Sequence, residues 1–209
     1  STGSGKTTLV NLIPRFYDAS EGEVLVDGVN VRDYEFEALY KKISYVSQKA
    51  VMFSGTIADN VAFGANAEPE KLDKAIEISR SADFVSELEE GTQSHMARGG
   101  TNFSGGQKQR LSIARALCRD AEILIFDDTF SALDFKTDRQ LRDALRTETE
   151  GKTKLIVAQR IGTIMSADRI IVLDEGRIAG MGTHKELLKS CEVYRQIALS
   201  QLSEEELAI

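Results

Sequence analysis

The sequence is poor in the residues that build metal sites and disulfide frameworks. It has only two cysteines and two histidines among 209 residues. Cys118 and Cys191 lie far apart, and neither belongs to a CxxC or Cys/His cluster, which excludes a zinc site or a disulfide scaffold of the usual spacing. We expect both cysteines to be buried and reduced.

Two further absences narrow the class of protein. No run of about 18 apolar residues could span a bilayer, and no signal peptide opens the chain. Basic residues are also outnumbered, because 26 Lys and Arg stand against 33 Asp and Glu, which leaves a net charge of −7. Broad nucleic-acid binding needs clustered basic residues, so nucleic acid is not an expected partner. Any anion-binding site is therefore expected to be a small, confined site rather than a broad basic surface.

The chain does have enough apolar material for a folded domain. Its hydrophobic content is 42% and its charged content is 28%, which suits a globular chain that buries a core. No internal repeat and no low-complexity linker marks a second independent domain. Residues 1–209 are therefore predicted to form one domain.

The first eight residues predict a phosphate-binding loop. Their glycines let backbone N–H groups turn inward, a lysine can reach outer phosphates, and a hydroxyl can bind Mg²⁺. The pattern G-x-x-x-x-G-K-[ST] lacks only a first glycine, expected one residue before Ser1, with a strand further upstream. An ordinary strand-to-helix turn is the alternative. The residues of this phosphate loop are Ser1, Thr2, Gly3, Ser4, Gly5, Lys6, Thr7 and Thr8.

Alternating strand and helix patterns predict a mixed α/β fold. Three apolar strands end in polar residues: the first delivers Gln48, the second ends in Asp127 and Asp128, and the third delivers Gln159. Open α/β sheets bind ligands at such strand ends. A helical block separates the first two strands. Hairpins are predicted at 23–31, around Asp27-Gly28, and at 169–179.

The segment from Ser104 to Gln107 predicts the start of a helix. Ser104 and Gln107 have the spacing of a capping box, so a well-capped helix is the simplest interpretation. Two glycines in the first turn weigh against it, because they weaken the helix and leave bare backbone N–H groups that suit an anion. We call Ser104, Gly105, Gly106 and Gln107 the signature turn.

These features, in this order, resemble the nucleotide-binding domain of an ATP-binding cassette (ABC) transporter over essentially the whole chain. Phe53-Ser54-Gly55-Thr56-Ile57 and Arg15-Phe16-Tyr17-Asp18 are similar to the exporter branch. The implied fold is a RecA-like P-loop NTPase core with a small antiparallel β subdomain and an inserted helical subdomain at about residues 51–119. The N-terminal strands of that fold are expected to be missing from residues 1–209.

The resemblance also implies roles for individual residues. In this family two domains meet head to tail, and each ATP lies between the phosphate loop of one and the signature turn of the other. Lys6 and the loop amides would then hold phosphates. Thr7, Gln48 and Asp127 would surround Mg²⁺. Asp134, in Ser131-Ala132-Leu133-Asp134, would lie at the interface. The implied cofactors are ATP and Mg²⁺.

Two positions depart from the family pattern. The residue after Asp127, the aspartate expected to bind Mg²⁺, is a catalytic glutamate in most members of the family. In this sequence it is Asp128, whose side chain is one methylene shorter. The switch position at the end of the third strand is normally histidine and is here Gln159, and neither His95 nor His184 is placed to replace it. A misplaced base forfeits on the order of 10²- to 10⁴-fold in rate. Both departures therefore predict a site that binds ATP and hydrolyses it slowly or not at all.

The sequence thus predicts the degenerate-site subunit of a heterodimeric, multidrug-type ABC exporter at the cytoplasmic face of the cell membrane. Its expected partners are a second, non-identical nucleotide-binding domain and a transmembrane domain with coupling helices. Harmless variation in a working ATPase is the alternative interpretation of the two departures. A fully competent, soluble ABC ATPase and a purely regulatory nucleotide-binding module are the alternative functions.

Overall fold

The computed structural model describes residues 3–65 and 67–203, so Ser1 and Thr2 of the phosphate loop lie outside the described residues. Helices and strands alternate along the chain, as predicted. In chain order they are α1 (Lys6–Asn11), β1 (Leu25–Val26), β2 (Val29–Asn30), α2 (Phe36–Lys42), β3 (Ile43–Val46), β4 (Gly55–Thr56), α3 (Ile57–Ala62), α4 (Pro69–Ile78), α5 (Ala82–Val85), β5 (His95–Met96), α6 (Gly105–Cys118), β6 (Ile123–Asp127), α7 (Phe135–Glu148), β7 (Thr153–Val157), α8 (Ile161–Ile164), β8 (Ile170–Asp174), β9 (Arg177–Gly182), α9 (His184–Ser190) and α10 (Glu192–Gln201).

The chain divides into two compact units. The terminal unit combines Ser1–Asp33 with Ile156–Ile209, and the central unit is Tyr34–Leu155. Each unit contains some of the residues singled out by the sequence. In the described part of the chain, no helix is long and apolar enough to cross a membrane.

A parallel sheet forms the core of the central unit. The strand order is β3-β6-β7, and β3 runs parallel to β6 with Ile43 opposite Ile123 and Val46 opposite Phe126. Leu124, Ile125 and Phe126 of β6 are buried, which explains why this strand is an unbroken apolar run rather than an alternating one. The sheet delivers Gln48 and Asp127 from the same ends of neighbouring strands.

Helices α3 to α6 pack on a second core in the central unit. This core includes Ile57, Val61, Met96 and Leu111, which are each fully buried, and Phe84. The sequence predicts a helix from Phe53 and a loop over 91–102, and both expectations are wrong in part. Gly55–Thr56 and His95–Met96 instead pair as short antiparallel strands, and α3 begins only at Ile57. Two-residue strands are too short to show a period of two in sequence.

Two hairpins in the terminal unit are confirmed. Asp27 and Gly28 both have positive φ between β1 and β2, as a tight hairpin turn requires. Strands β8 and β9 pair in the same antiparallel manner. The spacing of Thr183 and Glu186 predicts a capping box that starts a C-terminal helix, and this cap is present at α9. A second helix, α10, follows because Cys191 between the two takes an extended backbone. Cys118 and Cys191 are both buried and free, as predicted.

A buried histidine–tyrosine pair lies in the core of the terminal unit. His184 Nδ1 is 2.8 Å from the Tyr194 hydroxyl, and the two rings are edge to face. The Nε2 atom of His184 is buried without a hydrogen-bond partner among the described residues. Desolvation by burial, with a smaller contribution from Lys185, lowers the pKa of His184 below its usual value of 6.5.

We therefore expect acid to destabilise the protein through His184. The unfolded chain binds a proton at this site more readily than the folded chain, so the free energy of unfolding falls as the pH drops below about 6.5. Thermal unfolding followed between about pH 7.5 and 5.5 should show this loss, and His184→Gln should flatten it. His95→Gln, at an exposed position, is the matched control. Equal pH slopes for wild type and His184→Gln would contradict the prediction.

Candidate functional site

The described part of the phosphate loop belongs to the terminal unit and leads directly into α1. Gly3 and Gly5 have φ of 83° and 90°, a left-handed conformation that suits glycine. A Cβ added at Gly5 would lie 3.9 Å from the Gly176 Cα, so the backbone here also runs close to the β8–β9 turn. Lys6 Nζ donates to the Ser4 hydroxyl at 2.9 Å. This conformation can present backbone N–H groups and a lysine to an anion.

The predicted switch residue lies in the terminal unit too. Lys6 and Gln159 line the same cavity of about 310 Å³, together with apolar residues of α8, β8 and α10. Gln201 holds the backbone on either side of Arg160: its Nε2 donates to the Gln159 carbonyl at 2.9 Å, and its Oε1 accepts from the Ile161 N–H at 2.8 Å. The structure thus brings the loop lysine and the switch glutamine together.

The two carboxylates lie in the central unit, at the end of β6. Tyr45 donates its hydroxyl proton to Asp127 Oδ2 at 3.0 Å, and Gln48 Nε2 donates to Asp128 Oδ2 at 3.0 Å. Asp127 and Asp128 are both buried. Burial, and then the Asp127 charge and hydrogen bond, raise the pKa of Tyr45 well above its usual value, so Tyr45 keeps its proton. Each carboxylate therefore has its own donor from the β3 side.

The backbone at Asp128 is held in an uncommon conformation. Its φ and ψ are 46° and 30°, the left-handed region, where aspartate is better tolerated than most residues. The Ser131 hydroxyl donates to the Asp128 carbonyl at 2.7 Å, and the Thr129 hydroxyl donates to the Val46 carbonyl at 3.2 Å. Strand β3 and the segment after β6 are thus fastened to each other next to the carboxylates.

The signature turn forms the capping box that the sequence predicts. Ser104 Oγ accepts from the Gln107 N–H at 3.2 Å, and Gln107 Oε1 accepts from the Ser104 N–H at 2.8 Å. Ser104 and Gly105 are exposed, and a Cβ added at Gly105 would meet no atom of the described residues within 4 Å. Packing among the described residues therefore does not require glycine at 105. A role toward a partner's ATP stays a prediction.

Asp134 has a structural role of its own. It is the N-cap of α7, where its Oδ1 accepts from the Thr137 N–H at 2.9 Å, and hydrogen bonds from Thr137 lower the pKa of Asp134. The loop before it approaches the signature turn, since a Cβ on Gly106 would lie 3.5 Å from the Ala132 carbonyl oxygen. The proposed interface role of Asp134 stays a prediction.

The side chains assigned to Mg²⁺ fit that ion in chemistry. Mg²⁺ prefers hard oxygen ligands and usually keeps several waters or substrate oxygens. Thr7 offers a hydroxyl, Asp127 a carboxylate, and Gln48 keeps its Oε1 acceptor while its Nε2 donates to Asp128. In the described residues, no group of three or more His, Cys, Asp or Glu side chains is placed to hold a metal. Each of these three side chains, taken separately, therefore offers an oxygen of the kind that suits Mg²⁺ bound together with phosphate oxygens.

Three residues near these positions were missed by sequence reasoning. Tyr45 and Gln201 are described above, and Gln109 of α6 donates from Nε2 to the Ser47 carbonyl at 3.1 Å, just before Gln48. Gln109 is only 2% exposed. A buried amide and a tyrosine inside an apolar strand each need a hydrogen-bond partner. A polar group in apolar sequence surroundings was the only indication of these contacts that the sequence offered.

The strand ends, the loop and the turn match one known family. A family model described as "ABC transporter" matches residues 1–131, which is more than half of the chain. The chain belongs to the ABC transporter family. An ATP-dependent lipid A-core flippase of Hahella chejuensis is 44% identical over 205 residues, covering 97% of this chain and 35% of the flippase. An uncharacterised ABC transporter ATP-binding protein of Mycobacterium bovis is 46% identical over 205 residues, covering 96% and 35%.

A solved structure also matches this ABC chain. The structure of a bacterial Atm1-family ABC exporter with ATP bound gives a TM-score of 0.93 at 36% identity and covers 98% of this chain and 36% of that chain. The mixed α/β ABC ATPase fold is thereby confirmed. Membership in this family implies an ATP-binding domain, typically with Mg²⁺. This ABC chain spans about 35% of the length of the curated relatives it matches.

Proposed function

We propose that this chain is the ATP-binding motor domain of a heterodimeric ABC exporter, and that its own site binds Mg-ATP with slow or no turnover. The observation that carries the proposal is the side-chain length and the hydrogen bonding of Asp128. Its carboxylate stands where the family has a longer glutamate, and Gln48 Nε2 donates to Asp128 Oδ2 at 3.0 Å. A carboxylate that is both shorter and engaged by a neighbouring amide is poorly placed to accept a proton from water.

Gln159 supports the same conclusion. A glutamine can hydrogen-bond phosphate, but it cannot carry the positive charge of an imidazolium or exchange protons near neutral pH. General-base catalysis needs the base within about 2.6–3.2 Å of the proton it removes. In the proposed mechanism, Lys6 and the loop amides bind phosphate oxygens, and Asp127 would hold Mg²⁺ through its carboxylate. The step that this site performs poorly is the removal of a proton from the attacking water.

The signature turn is proposed to act on a different ATP. The N-terminal end of helix α6 is exposed, and a Cβ on Gly105 would meet none of the residues that the structure describes. Backbone N–H groups at such an end attract phosphate oxygens. We propose that Ser104 to Gln107 complete the hydrolytic site of a second, non-identical nucleotide-binding domain. ATP at this chain's own site would then hold the pair together while the partner's turnover resets it.

An aromatic surface in the central unit supports a membrane partner. Phe53 and Phe63 are 41% and 56% exposed, their ring centroids are 4.5 Å apart, and the Arg115 guanidinium lies 5.2 Å from the Phe53 centroid. Exposed aromatic groups backed by a fixed cation are typical of binding surfaces. We propose that a coupling helix of a transmembrane domain docks here, which would place the domain at the cytoplasmic face. The relatives described as exporter and flippase favour this over a soluble ATPase.

The proposal is tested by silencing the partner's site. When the partner's catalytic glutamate is changed to glutamine in the intact, paired transporter, we expect ATP hydrolysis to fall on the order of 10²-fold or more, because the remaining site lacks a placed base. Hydrolysis is measured by phosphate release, with ATP occupancy followed in parallel by a radiolabelled nucleotide. Brisk hydrolysis by this transporter would mean that the site of this chain is competent, and the proposal would be wrong.

A further inference from the structure

We propose that Tyr45 is a positioning residue that fixes the Asp127 carboxylate for Mg²⁺. This inference rests on the proposed function, in which the domain binds Mg-ATP. Tyr45 belongs to none of the sequence motifs described above. Its role follows from the contact between two neighbouring strands of the central unit.

The contact is set by the register of the sheet. Tyr45 lies opposite Ile125 in the parallel pair of β3 and β6, two residues before Asp127. From there its ring extends toward the strand end, and its hydroxyl donates to Asp127 Oδ2 at 3.0 Å. Because β3 and β6 are fastened by regular backbone pairing, the hydroxyl is held in place by the sheet rather than by a mobile loop.

Asp127 needs such a donor because it is buried. It is only 3% exposed, and a carboxylate withdrawn from water is stabilised by hydrogen bonds that it accepts from protein groups. A bond to one named oxygen also restrains rotation about the terminal torsion, which is otherwise broad for aspartate. Tyr45 therefore selects the orientation in which Asp127 meets a cation.

The neighbouring carboxylate is controlled separately. Asp128 Oδ2 accepts from Gln48 Nε2, whereas Asp127 Oδ2 accepts from Tyr45. Loss of the tyrosine hydroxyl should therefore disturb metal binding more than it disturbs Asp128. Removing a group that orients a metal ligand typically costs about 10- to 100-fold in metal affinity.

The test compares Tyr45→Phe with Tyr40→Phe in the intact protein. Tyr40 is a partly exposed tyrosine of α2 whose ring packs against Phe36, so it controls for loss of any tyrosine hydroxyl in this unit. Binding of a fluorescent ATP analogue is titrated with Mg²⁺ and repeated in a metal chelator. For Tyr45→Phe we expect the Mg²⁺ concentration at half-binding to rise about tenfold, with unchanged binding in chelator. Tyr40→Phe should match the wild type.

Each other outcome overturns the inference. An unchanged Mg²⁺ midpoint for Tyr45→Phe would show that the hydroxyl does not position Asp127. A tighter midpoint would show that it competes with the ion, and equal losses with and without Mg²⁺ would indicate a structural role only. If wild-type protein shows no Mg²⁺-dependent nucleotide binding, the proposed function itself fails, and that result is distinguishable from the others.

A double-mutant cycle gives a second, independent measurement. If Tyr45 acts through Asp127, Tyr45→Phe should add nothing to the Mg²⁺ midpoint in an Asp127→Asn background. Additive effects of the two changes would overturn the inference. Thermal unfolding in chelator, run on all variants, separates this coupling from a loss of folded protein.

Discussion

Changing Asp128 to Glu and Gln159 to His together is expected to raise ATP turnover at this chain's own site by roughly 10²-fold or more. The glutamate adds the missing methylene, so that its carboxylate extends beyond the present contact with Gln48 Nε2 at 3.0 Å. The histidine adds a group that can donate to phosphate in a charged form. Turnover is measured as phosphate release in a transporter whose partner site has been silenced, so that only this site contributes.

A matched control separates this gain from a general effect of the two substitutions. Asp143 and Gln140 are exposed residues of α7, and Asp143→Glu with Gln140→His makes the same two chemical changes away from the site. This control should leave turnover unchanged. Glutamate tolerates the left-handed φ of 46° at position 128 less well than aspartate, so a modest loss of thermal stability is expected for Asp128→Glu. No gain in turnover, with folding intact, would mean that the defect lies elsewhere.

Changing Gly105 to Ala is expected to reduce hydrolysis at the partner's site, on the order of 10²-fold, while leaving the fold of this chain intact. Within residues 3–65 and 67–203, a Cβ at Gly105 would meet nothing within 4 Å, and alanine favours a helix more than glycine does. Any loss of hydrolysis would therefore be due to a disturbed contact between the signature turn and a molecule outside this chain. Hydrolysis by the paired transporter and thermal unfolding of the same sample are measured together.

The outcome also discriminates between the alternative functions. Unchanged hydrolysis for Gly105→Ala would favour a regulatory nucleotide-binding module with a dispensable signature turn. Gly162→Ala serves as the folding control, because Gly162 is also helical and an added Cβ there would have no neighbour within 4 Å in the described part of the chain. Neither variant should lower the unfolding temperature. If Gly105→Ala unfolds early while Gly162→Ala does not, the lost hydrolysis cannot be assigned to the partner's ATP.

Much of the fold could be predicted from local chemistry. The buried strand β6 is predicted by its apolar run, the β1–β2 turn by Asp27-Gly28, and the start of α6 by the spacing of Ser104 and Gln107. Each signal lies within a few residues of the structure it predicts. The short pair β4–β5 could not be predicted, because its two strands are held by each other rather than by any pattern of their own.

The supporting contacts of the site could not be predicted for a related reason. Tyr45 meets Asp127 across 82 positions of sequence, and Gln109 meets Ser47 across 62. A hydroxyl or an amide in an apolar setting shows that a partner is needed, but the sequence does not say which one. The motif residues Gln48 and Asp128 were identified separately, and only the folded sheet places one against the other.

In the proposed function, the hydrogen bond from Gln109 to the Ser47 carbonyl would link the energetics of two binding events. Helix α6 begins at the exposed Gly105, and one turn later its buried amide holds the carbonyl next to Gln48. Suppose that the affinity for the partner's ATP depends on the position of α6, and that the affinity for this chain's own ATP depends on the position of Gln48. The two ATP affinities are then coupled. Thermodynamic reciprocity then requires each nucleotide to change the affinity of the other by the same factor. In the proposed function, ATP bound at this chain's own slow site would thus change the ATP affinity of the partner's hydrolytic site.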